Sequence, residues 1–360
     1  MEAVQKIVPQ GMSPILTLVG LIAIFCLGVG ITTYAWLSMT NQAPPSDATL
    51  TKNLDVFQGI VNPAPLTCPS DNLLTDYYVA GSGYSMLSSK TVYSYITADA
   101  ITKVIAAGAR VIDLHVYEVN KKPVVGIADE ATGKMLTYNT IPLEDCCNVI
   151  ASNAFATTTP FIMSIVFHTD DTVLINNCAD IMKNTLRKYM LDSSYSYQRK
   201  NLALEPACNL MGKLIVVSGE KHKGTAMDEL VNISWSSSLC RRLTYTQAAQ
   251  TYDHDELTEY NKRNITLVVP DLDTSSMANQ SAEICFSYGC QWVLMNYGSL
   301  DNALEIYIGK FVDSSFIVKP EPLRYKPVTY TAPKPQNPNV SFQPKQLSSP
   351  LFDTTIGSVR

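Results

Sequence analysis

The chain has 360 residues, 46% of them hydrophobic, which is enough to bury one large core. A net charge of −5 and an isoelectric point near 5.4 argue against nucleic acid as a partner, because phosphate binding needs a basic face. Nine scattered cysteines form no C-x2-C pair, which speaks against structural zinc, and their odd number defines no disulfide framework.

A short N-terminal tail (1–12) leads into an apolar segment (13–39). Between Ile7 and Leu50 the single charged residue is Asp47, and Ile15 to Met39 is almost wholly apolar. At 1.5 Å per residue this run can cross a bilayer core of roughly 30 Å. Ile15, Leu16, Leu18, Leu21, Ile22 and Phe25 are candidate lipid-facing residues, and Tyr34 and Trp36 fit an interfacial aromatic anchor. A signal peptide has a shorter apolar run, of about 7–15 residues. The segment is therefore read as a single-pass anchor with membrane lipid as its partner.

Lys6 before the span, with no further Lys or Arg until Lys52, tilts weakly toward the N-terminus inside. The side of the membrane stays open, as do four sequons at Asn232, Asn264, Asn279 and Asn339. A lumenal or extracellular barrel, modified at its sequons and cysteines, is an alternative.

Residues 40–69, rich in Pro, Asn, Ala and Thr, read as a stalk. Eight strands are predicted beyond it: Tyr77–Gly81, Arg110–Tyr117, Pro123–Ile127, Phe161–His168, Lys213–Ser218, Ile265–Pro270, Gln291–Asn296 and Phe316–Val318. Apolar blocks such as IVVS, LVV and WVLM suit strands buried on both faces of a parallel sheet. Helical patterns lie between them, at Ile96–Ala107 and Leu174–Met190 among others. Strands alternating with helices indicate an α/β fold of the (β/α)8 TIM-barrel type. The tail (327–360) has prolines at 327, 333, 335, 338, 344 and 350, so it is expected to be extended or disordered, a linker or a docking segment for protein partners.

Three stretches carry a family resemblance. The run from Gly289 to Arg324 contains Gly289, Cys290, Gln291, Val293 and Asn296, then Gly309, Lys310 and Phe311, then Val318, Lys319, Pro320, Leu323 and Arg324. Upstream, YYVAGSGYSML (77–87) and SYITADAITKVIAAGARVIDLHVYE (94–118) continue the pattern. In this order they resemble the catalytic barrel of the eukaryotic phosphoinositide-specific phospholipases C, which has two halves named X and Y. The resemblance implies an X-like half (70–220), a connection (221–240) and a Y-like half (241–326). It also implies a buried free thiol at Cys290, which favours a reducing compartment.

The family cleaves a phosphodiester with two histidines and a calcium ion. The resemblance puts the first histidine at Gly83 with its neighbouring calcium ligand at Tyr84, and the second histidine at Ile127. Carboxylate ligands fall at Asp113, His115 and Val166, and phosphate-binding lysines near Val217 and Gly219. No clear counterpart of the family's arginine appears around Asp271–Ser275. Glycine and isoleucine carry no titratable proton, and only Asp113 keeps a carboxylate. Catalytic residues are therefore expected to be none, the calcium site is expected to be lost, and no other cofactor is implied.

A rebuilt site is the alternative. Asp113 and His115 are two apart on one strand and face the same way, and His168 ends another strand, followed by Asp170. Asp113, His115, His168 and Asp170 are thus candidates for a metal site or an acid–base pair. GSG at 81–83 reads as a turn, Cys146–Cys147 as part of a helix, and His222 and His254 as solvated. The resulting expectation is a membrane-anchored, catalytically inactive phospholipase C-like scaffold of the kind that would suit the internal membrane of a large DNA virus particle. The alternative is a phosphoric diester hydrolase or lipid-headgroup binder.

Overall fold

The computed structural model describes residues 14–40, 72–326, 333 and 344–357. Two compact units are present, Met1–Arg324 and Tyr325–Arg360.

The first long element is helix α1 (Pro14–Thr40), 27 residues without an acidic first turn or a basic last turn. Its window Leu18–Trp36 has no buried residue, so one N-terminal helix is long and apolar enough to cross a membrane. Ile15, Leu16, Leu18, Leu21, Ile22, Phe25, Tyr34 and Trp36 are all exposed.

The barrel comprises β2 (Gly81–Ser82), β3 (Val111–Val119), β6 (Phe161–Phe167), β7 (Leu214–Ser218), β8 (Ile233–Ser234), β9 (Cys240–Thr244), β10 (Ile265–Val269) and β11 (Trp292–Met295). Their order is β8-β7-β6-β3-β2-β11-β10-β9 with every neighbouring pair parallel, a nearly closed barrel that opens between β8 and β9. Helices α2 (Ala98–Ala106), α3 (Leu143–Asn153), α4 (Thr172–Leu186), α5 (Tyr245–Ala249), α6 (His254–Arg263), α7 (Glu283–Ser287) and α8 (Asn302–Lys310) alternate with the strands.

Strand β6 shows why these segments read as continuous apolar runs. Phe161, Met163 and Ile165 pack outward with Cys146, Ile150 and Leu174 of the helices, whereas Ile162 packs inward with Val111, Ile215, Leu267 and Trp292. Both faces of the strand are buried, so neither is polar.

The strand list differs from expectation in four places. The segment Pro123–Ile127 contributes β4 (Lys122–Val125), which pairs antiparallel with β3 and with β5 (Ile141–Pro142) and stays outside the barrel. Phe316–Val318 (β12) pairs antiparallel with β1 (Tyr77–Val79) in a separate two-stranded sheet. Gly81–Ser82, expected as a turn, is instead the first barrel strand, with Gly81 close against Val111 and Leu294. The two vacated places in the barrel are taken by β8 and β9, short strands that apolar periodicity did not reveal.

The second unit holds an antiparallel hairpin, β13 (Lys345–Ser349) with β14 (Phe352–Ile356), where an extended or disordered tail was expected. Pro350 and Leu351 sit in its two-residue turn, where proline's missing N–H costs no ladder bond. Most of the other tail residues lie outside the described residues, as does the stalk (40–69) apart from Thr40, which ends α1.

Candidate functional site at the barrel mouth

Parity along the strands decides which side chains meet. Inward Val111, Ile162, Ile215 and Cys240 put Asp113, Ser164, Val217 and Arg242 one step further up the interior. Register confirms the level, with Asp113 opposite Ser164 and Ser164 opposite Val217. Strand β9 lies four places from β3 in the order of eight, directly across the barrel.

Across that diameter Arg242 Nη2 donates to Asp113 Oδ2 at 2.7 Å. The pair is largely dry, with side-chain exposures of 13% and 2%. Ser164 Oγ donates to Asp113 Oδ1 at 2.5 Å, and His115 Nε2 lies 3.0 Å from Asp113 Oδ2. His115 Nδ1 lies 3.0 Å from His168 Nε2. Which ring nitrogen of His115 donates in these two contacts depends on its tautomer. Asp113, His115 and His168 therefore form a continuous chain.

The rings around them stack. Tyr84 lies 5.3 Å from His115, His115 lies 5.0 Å from His168, and His168 lies 4.3 Å from Tyr117 at an interplanar angle of 8°. This aromatic column crosses the mouth beside a cleft of about 550 Å³ whose wall includes Tyr84, His168, Arg242, Gln247, Glu130 and Asp271.

The charges follow from burial and partners. Burial alone would raise the Asp113 carboxyl, but the Arg242 guanidinium and the bonds from His115 and Ser164 hold it at about 2. Burial, together with His115, Lys221 and Arg242, pushes His168 down to about 3. At neutral pH, then, Asp113 is ionised and His168 is neutral.

Asp170 does not join the cluster. Its side chain is 89% exposed and pairs with Lys221 at 2.9 Å. His222, expected in solvent, is fully buried, edge-on to Tyr197 and 3.7 Å from Asp228. His254 is exposed and stacks on Tyr288. Cys146 and Cys147 are buried on α3, and burial raises both thiols.

Gly83, Gly219, Ile127 and Val217, the positions expected from the resemblance to correspond to catalytic and phosphate-binding groups, are closely packed. A Cβ on Gly83 would lie 2.5 Å from Pro270 Cδ, so even alanine does not fit there. A Cβ on Gly219 would lie 2.6 Å from Trp235 Nε1. Ile127 and Val217 belong to the hydrophobic core.

Calcium requires six or more oxygen donors. Here both Asp113 oxygens are engaged by protein groups, His115 offers nitrogen, Val166 offers nothing, and the Tyr84 ring lies tilted against His115. Among the described residues no group of three or more His, Cys, Asp or Glu side chains is placed to hold a metal ion. This donor set does not fit calcium.

Sequence reading missed Arg242. Two adjacent arginines in CRRLT conceal a strand, and the signal was parity: Arg241 faces out to pair with Glu256, whereas Cys240 and Arg242 face in.

Comparison with known proteins follows from this geometry. Residues 70–220 match the family described as phosphatidylinositol-specific phospholipase C, X domain. No curated protein matches the sequence. Among solved structures, PLC21 of S. officinalis is 18% identical with a TM-score of 0.64, covering 72% of this chain and 39% of that one. PLC21 of L. pealei is 19% identical with a TM-score of 0.62 and the same coverages, 72% and 39%. This chain thus spans well under half the length of either structure. Residues 70–220 are similar to the X domain of the phosphatidylinositol-specific phospholipases C, and the chain has a phospholipase C-like eight-stranded barrel.

Proposed function

We propose that this protein is a membrane-anchored phospholipase C-like barrel that does not cleave phosphodiesters and serves as a scaffold for other proteins. The observation that carries this reading is how the mouth is packed. Pro270 occupies the space beside Gly83, Trp235 covers Gly219, and an Arg242–Asp113 ion pair spans the interior. General acid catalysis needs a group that carries a proton near working pH, and His168 is held neutral far above its pKa of about 3. Helix α1, apolar and with no buried residue in its window Leu18–Trp36, supplies the anchor.

The test is release of inositol phosphate from phosphoinositide vesicles by the full chain in detergent, with calcium, manganese or zinc. The expected result is no release above the protein-free blank.

A second reading has its own support. Asp113, His115 and His168 do converge beside an open cleft, the arrangement a rebuilt phosphodiesterase or headgroup site would need. Turnover that disappears in His115→Ala would establish it in place of the first.

A further inference from the structure

We infer that Arg242 is the resident cation of this barrel mouth and takes the place of a divalent metal, leaving the site closed to metal in the native protein. A single nitrogen, Nη2, sits 2.7 Å from Asp113 Oδ2 and 3.2 Å from His115 Nε2, two donors that a metal would also seek. Ser164 takes the other Asp113 oxygen. The guanidinium also lies over the Trp235 ring, 5.4 Å from its centroid, a cation–π contact that adds to the ion pair. A metal entering here would have to displace a positive charge from a buried partner.

Trp235 is a built-in reporter of this arrangement. Calcium, manganese and zinc are titrated into the full chain in micelles while tryptophan emission and melting temperature are followed, with Trp235→Phe identifying the signal. The wild type is expected to respond to none of them. Arg242→Ala is expected to melt lower and to recover part of the loss on addition of divalent ions, whereas Arg242→Lys, which keeps the charge, stays indifferent to metal. Stoichiometric metal in the wild type, lost in His115→Ala, would overturn the inference. So would an Arg242→Ala protein that melts like the wild type and ignores metal.

A second inference rests on other residues and on the anchor reading above. Three of the four sequons are described, and two of their amides are structural. Buried Asn232 donates from Nδ2 to the Tyr195 carbonyl at 3.2 Å and accepts the Val216 N–H at 2.9 Å, bracketing β8 against β7. Asn279 Nδ2 donates to the carbonyls of Asn296 at 2.9 Å and Ser299 at 3.1 Å. Glycans are attached to that nitrogen, so a glycosylated Asn232 cannot take its place in this fold. Cys146, Cys147, Cys178, Cys240, Cys285 and Cys290 are buried free thiols.

We infer that the barrel folds on the reducing, non-lumenal side of the membrane crossed by α1, with the N-terminus on the other side. This opposes the weak charge signal from Lys6. The full chain is translated with microsomes and subjected to carbonate extraction, glycosidase and protease. Membrane-integrated chain without a glycan, whose barrel is digested by added protease, is expected. A glycosidase shift or a protected barrel in integrated chain overturns the topology alone. Chain extracted by carbonate overturns the anchor reading and the topology with it.

Discussion

Gly83 shows how firmly a glycine can be locked in by its neighbours. Its Cβ direction is filled by the Pro270 ring, so placing a histidine there means moving backbone as well as adding a side chain. Gly83→His is expected to destabilise the barrel by about 1–3 kcal/mol or more, the range for overpacking, and to confer no turnover. Chemical denaturation and the vesicle assay check the two halves of that statement.

The site's pH response has a definite sign. Asp113 is depressed from 3.8 to about 2, so its contribution is complete above the unfolded value and is lost as pH falls from about 4 through 2. His168 is depressed from 6.5 to about 3, so the unfolded chain takes up its proton first and stability falls as pH drops from about 6.5 toward 3. Melting curves across pH 3–8 should therefore show His168→Gln flattening the acid side of the profile, whereas a histidine exposed in the native state would leave it unchanged.

At the scale of elements, long apolar strands were legible and short polar ones were not. β3, β6, β7, β10 and β11 announced themselves because both faces of each are buried. β8 has two residues and depends on the Asn232 bracket for its place, a dependence no periodicity reveals. Asn232→Ala leaves the Val216 N–H without its side-chain acceptor and should cost about 1–3 kcal/mol by denaturation. β9 carries arginine on both faces because one side pairs with Glu256 on α6 and the other reaches the barrel interior. β4 and β12 looked like barrel strands since a three- or four-residue apolar run reads the same in an antiparallel side sheet.

At the scale of the whole molecule, the N-terminal helix and the barrel have different solvents in prospect. A chain beginning at Asn72 should move from the membrane pellet to the supernatant while keeping the barrel's melting transition, because the α1 window has no buried residue whose loss would expose a core. The sequence by itself determined the apolar N-terminal helix, the barrel class and the residue types at the matched positions, since composition and periodicity act locally along the chain. Tertiary structure alone decided that Asp113, His115 and His168 meet while Asp170 does not, that Arg242 crosses the barrel to join them, and that Pro270 and Trp235 close over two glycines. The His115–His168 and Asp113–Arg242 contacts join residues 53 and 129 positions apart, and only closure of the sheet brings opposite strands within reach of one another.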